Sequence, residues 1–203
     1  NVETTITWLP DSGEYEVNSP TPSAAKAYIG NAAVHGRWAA VFGQLIVDGT
    51  HHGVHVVVVP IRTDDLQPVA GVTIGDQGHK GGLLGVDNGT LRFDHVRVPR
   101  THLLDRFGGV TADGAYESSI ESVNARFFTM LGTLVRGRIC VGGGAASATR
   151  KALSIATRYS LTRTQFRMPA SGAEIPLLDY QAQQRKLLPN IAKAYAYGFA
   201  MNE

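Results

Sequence analysis

Between Ser122 and Gln165 the chain repeats apolar or small residues at three- and four-residue intervals: Phe127, Leu131, Leu134, Val141, Ala145, Ala148, Ala152, Ile155 and Tyr159. That spacing places them on one face of a helix. Thr149, Arg150, Lys151, Thr157 and Arg158 fall between them. The stretch is longer than an ordinary surface helix, and a lone helix cannot bury such a stripe. It therefore predicts a bundle or a large sheet to pack against. Arg138, on or near the apolar line, and Arg163, after its last turn, interrupt the pattern. Arginine is costly to bury without an anionic partner, so these two are the first functional candidates.

The rest of the chain is organised differently. The run TTITW, the turn-rich PDSG and the run EYEV predict a hairpin within residues 3–17. Lys26 to Val34 is irregular. Trp38 to Val47 is strongly apolar and closes on Asp48-Gly49, a turn. HVVVVP, His55 to Pro60, is β-branched and reads as a central strand. Val72 to Gly85 holds five glycines and reads as loop with short extended pieces. TLRFDHVRV, Thr90 to Val98, alternates imperfectly, as edge or corner strands do, and Pro99 ends it. No helical pattern of useful length precedes about residue 115. The fold expected is multidomain α and β: an antiparallel β-barrel or sandwich at 1–106, a linker at 107–121, and a helical region at 122–203. Ser118-x-x-Glu121 has capping-box spacing for a helix start. Pro169 and Gly172 break the helical pattern, which resumes near Leu177 with Pro189 as a possible kink site.

Chemistry is limited by what the residues exclude. A formal charge of +2 on 203 residues, with basic side chains scattered, argues against nucleic-acid binding. No apolar run is long enough to cross a bilayer. The single cysteine, Cys140, excludes an intrachain disulfide and reads as a buried helix residue. His51, His52 and His55 lack companions at ligand spacing, and in a strand His52 would point away from the other two, so no metal is expected. Gly142 to Gly144 follow a helical pattern without a Gly-Lys-Ser or Gly-Lys-Thr, which favours close helix packing over a phosphate loop. Hydrolase-elbow, dinucleotide and metalloprotease motifs are missing. On these grounds alone, Arg138 and Arg163 either bind a phosphate-bearing cofactor or pair with carboxylates. The chain begins at Asn1 in a strand-like run and stops at Glu203 in a helical one, and so reads as the middle of a longer protein.

The segment IGDQGHKGGLLGVDNGTLRFDHVRVPRTHLL, Ile74 to Leu104, resembles the end of the β-domain of the acyl-CoA oxidases, the oxidase branch of the acyl-CoA dehydrogenase superfamily. The agreement runs through Asp76, Gly78, Lys80 and Gly82, then Val86 to Gly89, then the element ending at Arg100. ETTITW…NSPT, HVVVVPIR, RYSLTRTQF and LLDYQAQQ resemble the family in the same order. The resemblance implies a β-domain followed by the first helices of a C-terminal helical bundle. It further implies FAD between them, an acyl-CoA substrate, O2 as electron acceptor and at least a homodimer. The implied reaction converts an acyl-CoA to the trans-2-enoyl-CoA and H2O2. The alternatives are an acyl-CoA dehydrogenase serving an electron-transfer flavoprotein, or a non-catalytic structural relative. The implied location is peroxisomal in a eukaryote and cytoplasmic in a bacterium.

Residue roles follow the same resemblance. Lys26 to Gly30, KAYIG, lies where the family carries a Lys-Trp-Trp-x-Gly-type segment. Tyr28 matches the aromatic beside the flavin and Gly30 the backbone near its reactive edge. The wording departs from the family at Ala27, Tyr28 and Asn31. Arg163 matches the arginine that reaches the FAD pyrophosphate of the partner subunit, and its donor fork suits a diphosphate. Gln165, Phe166, Gln181 and Gln184 match cofactor-contacting neighbours, and Arg138 matches a helix arginine near the CoA end. The family's catalytic glutamate falls beyond Glu203, so no catalytic residue is assigned here.

Overall fold

The computed structural model describes residues 2–201. Twelve strands come in chain order: β1 (Thr5–Leu9), β2 (Glu14–Asn18), β3 (Lys26–Gly30), β4 (Trp38–Val47), β5 (Thr50–Pro60), β6 (Val72–Asp76), β7 (Asn88–Phe93), β8 (Val96–Pro99), β9 (Gly109–Val110), β10 (Tyr116–Glu117), and, further on, β11 (Thr164–Arg167) and β12 (Glu174–Pro176). The helices are α1 (Val123–Leu131), α2 (Val135–Thr162) and α3 (Gln181–Ala200). The chain divides into two compact units, one ending at Leu131 and the other beginning at Gly132.

The first unit is built on two larger sheets. Five strands run in the order β5-β4-β1-β2-β8, and three in the order β3-β7-β6. Ile6, Tyr15, Leu45, Val57 and Val98 from the first sheet share one core with Val72, Leu91 and Phe93 from the second. The expected hairpin is β1–β2, with Trp8 opposite Tyr15 and Gly13 at φ 67° in its turn. Asp48 and Gly49, both at positive φ, make the tight turn between β4 and β5.

Three expectations are corrected here. The larger sheet is not wholly antiparallel: β1 and β4 run parallel, Thr5 opposite Gln44. The excursion through β3 is long enough to bring the chain back in the same direction. Among the described residues neither sheet closes into a barrel. β5 is at the edge of its sheet, though that edge is covered where Val57 bridges Leu103 and Leu104 N–H donates to Val56 O at 2.9 Å. Finally, TLRFDHVRV is two strands in different sheets. His95, at φ 50°, turns the corner, so Leu91 and Phe93 are buried before it and Val96 and Val98 after it. The flip of parity explains the imperfect alternation.

The stretch 107–121 carries the β9–β10 pair, with Tyr116 opposite Val110. α1 begins after Ser122, whose Oγ accepts the Ala125 N–H at 3.3 Å, and not at the Ser118 capping box. Ser118 Oγ instead donates to Phe107 O at 2.6 Å and receives Arg126 Nη1 at 3.2 Å. Arg126 is buried, with its guanidinium also bonded to Ile120 O and His52 O.

In the second unit, α2 and α3 pack through narrow faces. Ala146 and Ser160 of α2, and Leu187 and Ala194 of α3, are the buried residues of these helices. Gln183 Nε2 donates to Ser160 Oγ at 2.9 Å. The helical stretch is not continuous, because a 3-10 turn at Gly132–Leu134 separates α1 from α2. The stripe read from the sequence is not the buried one either. Val141, Ile155 and Tyr159 are exposed, while the α3-facing line runs one residue later, through Ala146 and Ser160. Among the described residues α3 is the one long helix beside α2 in this unit, with β12 and the turn at Leu177–Asp179 near its C-terminal end, so most of the α2 surface stays uncovered. Cys140 is exposed, contrary to the buried reading. Gly142 and Gly143 lie within α2 with the Met201 sulfur as their nearest neighbour, at 3.7 and 3.9 Å from where a Cβ would stand.

Candidate functional site

The candidate residues fall into two groups, one in each unit. In the first, Tyr28 and Gly30 lie on β3. Lys26 anchors this strand by donating Nζ to Phe42 O at 2.9 Å, and burial pushes its ammonium below the usual lysine range. β3 then bulges. Lys26 is opposite Leu91 and Ile29 opposite Gly89, which leaves Ala27 and Tyr28 without partners in register. Tyr28 sits at φ 56° and is 65% exposed. A positive φ is a true outlier for a bulky residue and marks an imposed conformation. A Cβ at Gly30 would meet nothing within 4 Å, so the backbone there is open to a flat ligand.

The loop after β3 is held from two sides. Asp87 accepts the N–H groups of Ala33, Val34 and His35 at 3.0 to 3.1 Å, and the His35 ring as well. Burial opposes ionisation of Asp87, but these donors outweigh it and hold the carboxyl below the usual range. Buried Arg62 donates to Gly36 O at 2.6 Å and Ala33 O at 2.7 Å. Asp87 and Arg62 both lie in runs that resemble the family, yet neither is marked there as an anchor of this loop. A carboxylate just before a strand start was the available signal.

The second group surrounds the C-terminal end of α2. Arg163 caps α2 in an extended conformation, its N–H bonded to Tyr159 O at 2.8 Å. Its own carbonyl receives the Leu177 N–H at 2.9 Å, which fixes the hairpin β11–β12 beside the helix end. Gln165 O accepts Tyr180 Oη at 2.6 Å. The hairpin bulges between Gln165 and Arg167, and Phe166 occupies the bulge at φ 61°, 70% exposed. Gln181 opens α3 and Gln184 follows one turn later, half-buried. The structure thus brings Arg163, Gln165 and Phe166 onto one helix-to-hairpin junction, with α3 starting just after it. Arg138, far back along α2, is exposed and apart from that junction. Among the described residues neither Arg138 nor Arg163 has a carboxylate partner.

The histidines behave differently from the strand expectation. Gly53, at φ 82°, twists β5 so that His52 and His55 reach the same tyrosine. The His52 ring stacks on Tyr116 at 3.8 Å, and His55 Nε2 lies 3.0 Å from Tyr116 Oη. His55 Nδ1 faces Gly53 O at 3.1 Å, and a carbonyl can only accept. His55 is therefore protonated on Nδ1, and its Nε2 accepts the Tyr116 hydroxyl proton. Burial first, then the Arg126 cation, push the His55 pKa below its ordinary value. No group of three His, Cys, Asp or Glu side chains among the described residues could hold a metal.

Residues 131–203 match the family described as the acyl-CoA oxidase C-alpha1 domain. Acyl-coenzyme A oxidase 2, peroxisomal, of Arabidopsis thaliana is 47% identical over 207 residues, covering 98% of this chain and 30% of that protein. The structure of Arabidopsis thaliana acyl-CoA oxidase 1 matches with a TM-score of 0.86 at 36% identity, covering 100% of this chain and 31% of that one. Caenorhabditis elegans acyl-CoA oxidase-2, solved bound with FAD, ascaroside-CoA and ATP, matches with a TM-score of 0.82 at 34% identity, covering 99% and 30%. The chain spans about a third of the length of these relatives. Match after match along its whole length, it belongs to the acyl-CoA oxidase family.

Proposed function

We propose that the whole protein oxidises an acyl-CoA thioester to its trans-2-enoyl-CoA, the first step of fatty-acid β-oxidation, with FAD as cofactor and O2 as final acceptor. The observation that carries this reading is the likeness of the entire chain to acyl-CoA oxidases, one of them solved bound with FAD, ascaroside-CoA and ATP. Bound FAD supplies a two-electron acceptor: hydride leaves the substrate β-carbon, the α-proton goes to a base, and O2 takes up the electrons as H2O2.

The residues present fit such a cofactor. The open backbone at Gly30 and the displayed ring of Tyr28 suit a flat ring system. Arg163 offers an uncompensated guanidinium to a diphosphate, with Gln165, Phe166, Gln181 and Gln184 beside it in sequence and fold. In this reading Arg163 serves the FAD of a partner subunit, so the working form is at least a dimer. Arg138 attracts the phosphate-rich CoA end of the substrate. The residues of this chain bind and orient; the α-proton is taken by a carboxylate supplied from elsewhere in the whole protein. The β-domain closes as a sandwich against the cofactor, and the helices belong to a larger bundle. In a eukaryotic source the location is the peroxisome, as for the named Arabidopsis relative.

The test is anaerobic mixing of the full-length protein with saturated acyl-CoAs, followed through flavin absorbance. Bleaching that reverses quickly in air with stoichiometric peroxide is the expected result. Bleaching with slow reoxidation indicates a dehydrogenase, and absence of bound flavin overturns the reading. Arg163→Ala weakens FAD binding at least tenfold, since a charge-assisted contact is worth about 1.5–3 kcal/mol.

A further inference from the structure

Tyr28 is held in its unusual conformation by the protein itself. A bulky residue at φ 56°, without a register partner and with its ring in solvent, should relax to an ordinary conformation unless something holds it. The restraint comes from two side chains outside β3. Gln77, just past β6, accepts the Tyr28 N–H through Oε1 at 2.8 Å. Asn88, the first residue of β7, donates Nδ2 to Tyr28 O at 3.3 Å. Both peptide groups of a single residue are gripped where the ladder has let go of them.

The grip is itself supported. Lys80 Nζ lies 2.5 Å from Asn88 Oδ1 and 2.8 Å from Val86 O. An ammonium can only donate, so it binds the amide oxygen of Asn88 and turns the NH2 toward Tyr28. Asp76 Oδ1 accepts the Gly78 N–H at 2.6 Å, closing the turn that carries Gln77 and leads to Lys80. The glycine-rich motif from Asp76 to Asn88, which the sequence reading left without a task, thus converges on one backbone position. Phe166 provides the contrast. It has the same bulge, a similar φ and similar exposure, yet among the described residues no side chain bonds its peptide groups.

We propose that Gln77, Asn88 and Lys80 form a side-chain clamp on the Tyr28 backbone and are positioning residues for the flavin-dependent reaction, holding the Tyr28 ring where the cofactor meets it. The proposal rests on the functional reading above. It assigns no contact with substrate or cofactor to the three residues; they act through Tyr28.

The experiment uses the full-length protein and FAD titration, read by the position and shape of the flavin visible bands. Gln77→Leu removes the acceptor at similar size, and Gln77→Glu keeps an acceptor oxygen. The expected result for Gln77→Leu is a weakening of FAD binding by about tenfold, the scale of one lost hydrogen bond, with displaced flavin bands. Gln77→Glu restores both to near wild type. In combination with Tyr28→Gly, which removes the ring and the strain together, Gln77→Leu adds nothing further, because it has no target left to hold. Should Gln77→Leu fail to fold, Lys80→Met tests the same clamp through Asn88, with a smaller loss in the same direction. Flavin bands and affinity unchanged in Gln77→Leu, or a loss of equal size with and without Tyr28→Gly, overturns the clamp alone. A wild-type protein without flavin overturns the functional reading and the clamp with it.

Discussion

Phe93 and Val141 are both large apolar residues in regular secondary structure, yet Phe93 is 1% exposed and Val141 74%. The difference belongs to their units. Phe93 projects from a three-stranded sheet into a core shared with five other strands, and each sheet gives the other an apolar face. Val141 projects from a helix with a single helical neighbour in its unit. Apolar content is similar; opposing surface is not. Hydrophobic stabilisation follows area removed from water and not the hydrophobicity of the sequence. The β-rich unit therefore carries most of the folding free energy of this chain.

The largest effect that tests this comparison is Phe93→Ala. It removes a fully buried ring and should cost about 3–5 kcal/mol in urea unfolding. A loss below 1 kcal/mol would break the contrast at its stronger end. Next comes Gly53→Ala. The position has φ 82°, and a new Cβ would run into the Val123 side chain. Strain and collision together should cost about 1–3 kcal/mol, seen as a lower urea midpoint with unchanged slope. Tyr116→Phe is expected at the lower part of that range, about 1–2 kcal/mol, because it leaves buried His55 Nε2 without a donor.

The same histidine gives the first unit a pH dependence. The folded pKa of His55 is lowered, so its contribution is full above its ordinary value of 6.5 and is lost as pH falls from there toward the folded pKa. The unfolded chain binds the proton more readily across that window. Stability measured from pH 7.5 to 5 should fall, with a shallower slope in His55→Gln. An equal slope in the variant would remove His55 from the account. The smallest effect belongs to the second unit: Ile155→Ser, on the uncovered face of α2, should change the stability of this chain by no more than about 0.5 kcal/mol. A loss above 1 kcal/mol would erase the comparison from its weaker end.

Much of this was legible before any coordinates. The β1–β2 hairpin, the Asp48-Gly49 turn, the helical second half and the interruption near Pro169 all follow from local rules, because turn chemistry and periodicity act over a few residues. What was not legible depends on distant partners. Periodicity points to the apolar stripe through Val141 and Ile155, but α3 meets the line through Ala146 and Ser160, which has no apolar signal of its own. The parity flip at His95 is similarly silent, since a corner between two sheets leaves no mark beyond imperfect alternation. Among the candidate site residues, Arg163 stands out by its place after the last apolar turn, whereas Tyr28 is legible only by likeness to a family. The hold on Tyr28 by Gln77 and Asn88 could not be read, because those residues are 49 and 60 positions away.

The pairing of β2 with β8 has a consequence for synthesis. Tyr15 is opposite Val98, so one edge of β2 keeps its peptide groups unpaired until the ribosome has released the chain past Pro99. Until then, β1, β2 and β4 can assemble, but the nascent sheet carries an open, apolar-sided margin able to recruit a strand from a neighbouring polysome product. A slowdown in translation before β8 has left the ribosome would prolong that exposure; one after it would not. The vulnerable interval for this sheet is thus set by how soon β8 follows β2 into the open.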